Sequence, residues 1–183
     1  MSKENKSRYA ILGLLSLRPM SGYDLKKFTE EGTSNFWQEN YAQIYPMLRQ
    51  LTAEGLATSH IEKQEKRPER HIYEITEQGI QELYRWLAEP VEQQVGRNEL
   101  LLKLFFAGDL PFEVSIEHIQ RFRQRQERLL QHYQDSEQTI RQKYCNARSL
   151  PYWLMTLSYG KHNAQAILQW CEESLAMLEQ AED

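Results

Sequence analysis

The sequence predicts a mainly α-helical protein with a two-stranded β-ribbon in its first half. Three observations carry that expectation. Apolar residues return at helical spacing in several separate segments; residues 57 to 76 exchange that period for a β-branched and aromatic one; and from residue 98 the helical period resumes nearly to the end.

In order, a first helix runs from Arg8 to Leu17, with Ile11, Leu12, Leu14 and Leu15 at helical spacing, and Pro19 ends it. Ser21 can cap a second helix through Asp24, Leu25 and Phe28, which Gly32 closes. Phe36 and Trp37, in the connection, are expected to plug the small core. A third helix is expected after Asn40, whose side chain can cap it with Gln43 completing a capping-box pattern, and it finishes at Gly55. Pro46 falls in its second turn. Proline has no N–H to give the carbonyl of Ala42, so a bent or tightened first turn is expected before the helix continues to Glu54.

"LATSHIE" and "HIYEIT" then form an antiparallel hairpin around the charged "KQEKRPE". Thr76 caps a fourth helix carrying Ile80, Leu83, Tyr84 and Leu87, closed by Pro90. These elements make a first domain, 1–90; the polar, aperiodic stretch 91–97 reads as a linker. In the second domain, 98–183, Asn98 caps "ELLLKLFFAG", a helix apolar enough to need cover on most sides. Pro111 opens a long helix to about Tyr144, with Ile119, Phe122, Leu129, Tyr133 and Ile140 near a seven-residue repeat. The last helix, from about Leu150, repeats Leu154, Leu157, Ala164, Ile167, Cys171, Leu175 and Leu178, and Gly160 and Ala164 lie one turn apart, which permits close helix contact. Two long helices cannot bury all this surface against each other and one short partner. A second copy of the chain is expected to cover the rest, making 98–183 an α-helical dimerisation domain; the alternative is a hairpin folded back on the first domain.

Composition narrows the function. The 183 residues, 40% hydrophobic, suffice for a packed core. No apolar run approaches the roughly 18 residues that cross a bilayer, and the opening Met-Ser-Lys-Glu-Asn-Lys lacks the apolar region of a secretory signal, so a soluble cytoplasmic protein is expected. Cys145 and Cys171 are too few and too far apart for a disulfide framework or a zinc site. No phosphate-cradling glycine loop, zinc-type His-x-x-x-His pair or nucleophile elbow is present, and the histidines are scattered singly, so neither an enzyme nor a cofactor or metal site is expected. The net charge of −4 does not suit a globally basic nucleic-acid binder. Locally, however, Lys63, Lys66, Arg67 and Arg70 outnumber Glu65 and Glu69 at the ribbon tip.

Three helices, a ribbon and a fourth helix follow the plan of a winged helix-turn-helix, whose third helix enters the DNA major groove while the ribbon, or wing, reaches the backbone. At about 100° per residue, Ile44, Met47, Leu48 and Leu51 share one side of helix three. Ala42, Gln43, Pro46, Arg49, Gln50 and Ala53 then face outward, with Tyr45 at the edge. Arg49 suits a guanine edge, Gln50 an adenine edge, and the Tyr45 hydroxyl a phosphate. The plainer reading leaves Arg49 and Gln50 solvated and packs Tyr45 at the rim.

The segments "YAILGLLSLRPMSGYDL", "FW", "IYPMLRQLTAEGL" and "RPERHIYEITEQG" resemble the winged-helix domain of PadR-like transcriptional regulators. "LLLKLFFAG" and "LSYGKHNAQAILQWCEE" are similar to the helical dimerisation domain of members with a long C-terminal part. The resemblance implies a homodimeric DNA-binding regulator, most often a repressor, answering to phenolic acids, drugs or other small molecules. It places DNA-facing positions at Ser21, Gly22, Tyr23, Gln43, Tyr45, Pro46, Arg49, Arg67 and Arg70. Many relatives have Gly-Arg-Pro in the wing; Lys66 stands at the glycine's place, which adds a charge. Tyr23 and Tyr45 could equally be core residues, Ser21 only a cap, and Lys26 and Lys27 plain solvated lysines. Trp153 and Trp170 could line an effector cavity or simply pack. A winged-helix protein adaptor with no DNA role is the rival function, separable by the steep salt dependence of DNA binding.

Overall fold

The computed structural model describes residues 6–32, 37, 41–62, 69–92 and 96–182. They fall into two compact units, 1–93 and 94–183. The first contains α1 (Ser7–Leu15), β1 (Met20–Ser21), α2 (Gly22–Gly32), α3 (Tyr41–Ala53), β2 (Ala57–Glu62), β3 (Arg70–Ile75) and α4 (Glu77–Leu87). The second contains α5 (Glu99–Phe105), a 3-10 turn (Ala107–Asp109), α6 (Phe112–Lys143) and α7 (Leu150–Glu182). Asn40 and Phe36, expected as cap and core plug, lie outside the described residues; Trp37 is half-buried.

The ribbon has a third strand. β1 adds to β3 on the side away from β2, pairing Met20 with Tyr73 and Ser21 with Ile72, in an antiparallel sheet of order β1-β3-β2. Two residues after Pro19 are too short to display strand alternation, and their partner lies some fifty positions on, so this pairing leaves no local signature. The β2–β3 register, from Ala57 with Ile75 to Glu62 with Arg70, is that of the expected hairpin.

The first core is built on Tyr9, Leu12, Leu15, Met20, Leu25, Leu48 and Leu51, all almost wholly enclosed. Burying each such aliphatic side chain contributes about 1.5–3 kcal/mol. The outcome for α4 differs from the expected stripe: Leu83 is buried and Ile80 partly so, but Tyr84 and Leu87 are exposed. Trp86 takes the inner position because its ring stacks on Tyr9, centroids 4.5 Å apart and planes within 3°. The Tyr9 hydroxyl donates to Glu82 Oε1 at 3.0 Å.

α3 is α-helical throughout, across Pro46, rather than tightened in its first turn. It ends as its sequence requires. Gly55 adopts φ 74°, the left-handed conformation that glycine takes without a Cβ penalty. The Leu56 N–H bonds back to Leu51 O at 2.9 Å and the Gly55 N–H to Thr52 O at 3.1 Å, the two bonds of a Schellman closure. The Thr76 hydroxyl donates to Gly55 O at 2.7 Å and accepts from Gly79 N at 3.0 Å. One side chain thus caps α4 and fastens it to the end of α3.

In the second unit Asn98 caps α5 by accepting from Leu101 N at 3.2 Å. α6 and α7 pack along the expected seam, with Ile119, Tyr133, Leu157, Ala164 and Cys171 buried. The seam also takes two polar residues, Ser115 and Gln126. A Cβ on Gly160 would sit 2.4 Å from the Tyr133 ring, so the helices close onto each other at that glycine. Glu137 on α6 receives Lys161 from α7 and Arg141 from its own helix, which together hold its carboxyl below the usual range. α5, expected to be covered, is open in the single chain: Leu101, Leu102, Phe105 and the following Phe106 are exposed.

Gly79 gives the fold a test of unusual sign. An alanine in a helix normally stabilises relative to glycine by about 0.5–1 kcal/mol, but a Cβ here would lie 2.1 Å from the Leu56 carbonyl oxygen. Gly79→Ala is therefore expected to destabilise by about 1–3 kcal/mol, read as a lower urea midpoint; an unchanged or higher midpoint would refute the packing.

Candidate nucleic-acid interface

The surface begins with the buried side of α3. Ile44, Met47, Leu48 and Leu51 all lie in the core, at most 6% exposed. That fixes the helix rotation and turns Ala42, Gln43, Tyr45, Pro46, Arg49, Gln50 and Ala53 outward. Arg49 has no ion-pair partner among the described residues. Gln50 donates through Nε2 to Glu54 Oε1 at 2.8 Å, and Arg8 holds the other oxygen of that carboxylate. This pairing assigns the nitrogen of the Gln50 amide to Glu54 and leaves its carbonyl oxygen for another partner.

α2 meets this face at its first residue. Gly22 is buried because the Tyr45 ring lies over it; a Cβ there would come within 2.6 Å of Tyr45 Cε1. The absent side chain lets the two helices approach. Tyr45 is still 55% exposed and Tyr23, next along α2, 66% exposed. Both are rim or surface residues, not core.

Ser21 and Arg70, both expected at DNA, are bonded to each other and to Asp24. Ser21 is 4% exposed, and its hydroxyl accepts from Asp24 N at 3.2 Å while donating to Asp24 Oδ2 at 2.9 Å. Its backbone N–H also donates to Asp24 Oδ2, at 3.0 Å. This is a reciprocal cap with an aspartate in the glutamate's usual place. Arg70 turns inward to the same pair, donating to Ser21 Oγ at 2.9 Å and to Asp24 Oδ2. Burial pushes the Asp24 carboxyl up, but the Ser21 amide and hydroxyl and the Arg70 charge outweigh it and hold it below its ordinary 3.8.

Lys66 and Arg67 lie outside the described residues. Trp153 and Trp170 pack edge-on within the helical unit, against Tyr144 at 5.4 Å and Phe122 at 6.4 Å, and both are half-buried. Sequence reasoning missed Asp24 as the cap's second half, although the spacing Ser-x-x-Asp was legible. The Gly22–Tyr45 contact had no sequence signal beyond the glycine itself.

Residues 11–85 match the transcriptional regulator PadR-like family, and residues 96–179 match the virulence activator alpha C-terminal family. The first unit therefore carries a domain of the PadR-like family of transcriptional regulators. It is 39% identical over 105 residues to the negative transcriptional regulator PadR of Bacillus subtilis, a match covering 56% of this chain and 57% of that relative, so it spans little more than half of the curated protein's length. Its fold is similar to that of Bacillus subtilis PadR solved in complex with operator DNA, with a TM-score of 0.82 at 29% identity over 95% of this chain and 99% of that one. The same protein in complex with p-coumaric acid gives a TM-score of 0.73 at 28% identity, covering 94% of each.

The low Asp24 pKa makes a pH prediction for this PadR-like chain. A carboxyl with a depressed folded-state pKa contributes stability that is present above its unfolded value and lost as pH falls through its folded value. Wild type should therefore exceed Asp24→Asn in urea midpoint at about pH 5 and above, with the gap closing as pH drops below 3.8. A gap constant with pH would show that the Asp24 charge does not stabilise the fold.

Proposed function

We propose that this protein is a sequence-specific DNA-binding transcriptional repressor, acting in the cytoplasm as a homodimer on a pseudo-palindromic operator and released by a small aromatic acid. The carrying observation is the outward face of α3: a rigid helix, anchored by four buried residues, presents Gln43, Arg49 and Gln50 together with Tyr45 and the neighbouring Tyr23. Arginine and glutamine are the side chains whose paired groups match guanine and adenine edges in the major groove. Tyrosine hydroxyls suit phosphates. Lys66 and Arg67, which lie between β2 and β3 in the sequence, are taken to serve the phosphate backbone.

On this reading residues 1–90 read DNA and residues 98–183 pair two copies, so that two α3 helices reach half-sites about 34–36 Å apart. The open apolar surface of α5, and Tyr152, Met155 and Tyr159 spaced along α7, support a second chain as the cover. The description of the relative as a negative regulator supports repression. The p-coumaric acid complex supports a phenolic effector, for which the half-buried Trp153 and Trp170 rings offer aromatic surface. Such a ligand shifts the dimer away from DNA only by its differential affinity for the two states.

The test is a binding selection on random duplexes, followed by titration of the selected operator. Affinity should fall by orders of magnitude between about 50 and 200 mM salt, and the mass in solution should be that of two chains. Arg49→Ala should weaken operator binding by about 1–3 kcal/mol, roughly 10- to 100-fold. Affinity indifferent to salt would favour a protein-binding adaptor, and an unaffected Arg49→Ala variant would remove Arg49 from the base-reading set.

A further inference from the structure

We infer that Arg70 is a positioning residue and not a DNA contact: bound to Asp24 and Ser21, it clamps the base of the wing to the start of α2 and so sets the surface that Tyr23 and Tyr45 present. The inference rests on the DNA-binding reading above and deepens it. It also departs from the first expectation for Arg70, which placed this cation at the phosphate backbone.

Three segments far apart in sequence meet at this point. Arg70 opens β3, and its two hydrogen bonds reach back 49 and 46 positions, to Ser21 on β1 and Asp24 on α2. Ser21 is itself paired in the sheet with Ile72, two residues beyond Arg70. Gly22, the next residue, is the one on which the Tyr45 ring of α3 rests. A shift of Arg70 therefore reaches α3 through two bonded neighbours and one steric contact.

The hydrogen-bond inventory shows why Arg70 is poorly placed to leave. The Ser21 hydroxyl has one hydrogen to give and two lone pairs; it donates to Asp24 Oδ2 and accepts from Asp24 N and from Arg70. Asp24 Oδ2 in turn collects the Ser21 amide, the Ser21 hydroxyl and the guanidinium. Swinging Arg70 to a phosphate would strip donors from both and leave the Asp24 carboxylate, two residues into α2, facing the incoming phosphate charge. Glu62, the cross-strand partner of Arg70, adds a second carboxylate on the same side of the sheet. A phosphate approaching Arg70 meets the Asp24 carboxylate already bound to it.

The discriminating experiment compares Asp24→Asn, Arg70→Gln, Arg70→Lys and the Asp24→Asn/Arg70→Gln double variant in the full chain, by operator affinity against salt concentration. If Arg70 positions, Asp24→Asn and Arg70→Gln each weaken binding by a similar factor, about 5-fold or more. The double variant is then no worse than the singles within about 2-fold, and the salt slope stays that of wild type. If Arg70 touches phosphate, Arg70→Gln lowers the slope by about one, while Asp24→Asn binds as well as wild type or better, because it frees the arginine and removes a repelling charge. That pattern overturns the inference, as do two unimpaired single variants. Arg70→Lys keeps the charge but not the fork geometry, so it should lose most of the affinity; full retention points to simple charge contact. Hydrogen exchange separates the clamp from a general loss of stability. Amides at Ser21 and Asp24, each bonded to the other's side chain, should exchange about ten-fold faster in Arg70→Gln while those of α4 keep their protection, and uniform acceleration overturns the inference. Wild-type protein with no salt-sensitive binding to any selected duplex would instead sink the DNA reading, leaving the exchange result to decide the clamp.

Discussion

The rotation of α3 about its own axis is the constraint from which the rest of the first unit follows. Four side chains at positions 44, 47, 48 and 51 enter one core, and a helix held at four points along two turns has no freedom to roll. Its exposed face is thereby specified, and so is its end. The closure at Gly55 directs the chain into β2, and Thr76 brings α4 back against the same glycine. A helix whose interior contains proline would be a weak candidate for a rigid reading element on propensity alone. Burial of its apolar side and the bonded terminus supply the rigidity that propensity does not.

Charge is partitioned rather than uniform, and this reconciles a net −4 with a proposed polyanion partner. Several arginines of the first unit are spent internally: Arg8 on Glu54, Arg85 on Glu82 and Glu89, Arg70 on Asp24. Most of these pairs are partly exposed, where solvent screening leaves little net stabilisation. Their greater consequence is selective. They engage these cations with carboxylates, whereas Arg49, on the outward face of α3, has no ion-pair partner among the described residues. A locally presented cation on a rigid helix can serve recognition without global basicity, because screening limits exposed charges to about 8–10 Å.

Much of this architecture was legible in the sequence, because its signals are local. Thr76 and Asn98 are caps read from one residue and its successors; Gly55 is a terminator; α6 and α7 repeat their seams often enough that the period cannot be mistaken. What was not legible is non-local. β1 exists only because β3 offers it an edge, and Arg70 looks like a wing cation until Asp24 is placed beside it. On α4 the sequence pointed to the stripe Ile80-Leu83-Tyr84-Leu87, whereas Trp86 turns inward because it stacks on the Tyr9 ring, more than seventy positions away. The outward face of α3 could be read in advance, whereas its junction with α2 depended on the space above Gly22.

The number of side chains on that face bears on why a pair of chains suits the proposed reading. One α3 offers Gln43, Arg49 and Gln50 as groups able to address base edges. If each discriminates by about 1–3 kcal/mol, a single copy gains roughly 3–9 kcal/mol at the very best, and less because Gln50 has committed its amide nitrogen to Glu54. Specific regulators separate their sites from bulk DNA by about 4–10 kcal/mol, so one face reaches the upper part of that range only if all three side chains discriminate close to their maximum. Two faces on a symmetric dimer double the discrimination without a new contact type. The second unit carries apolar surface beyond what α6 and α7 use on each other, on α5 and along Tyr152, Met155 and Tyr159. An isologous partner would cover that surface.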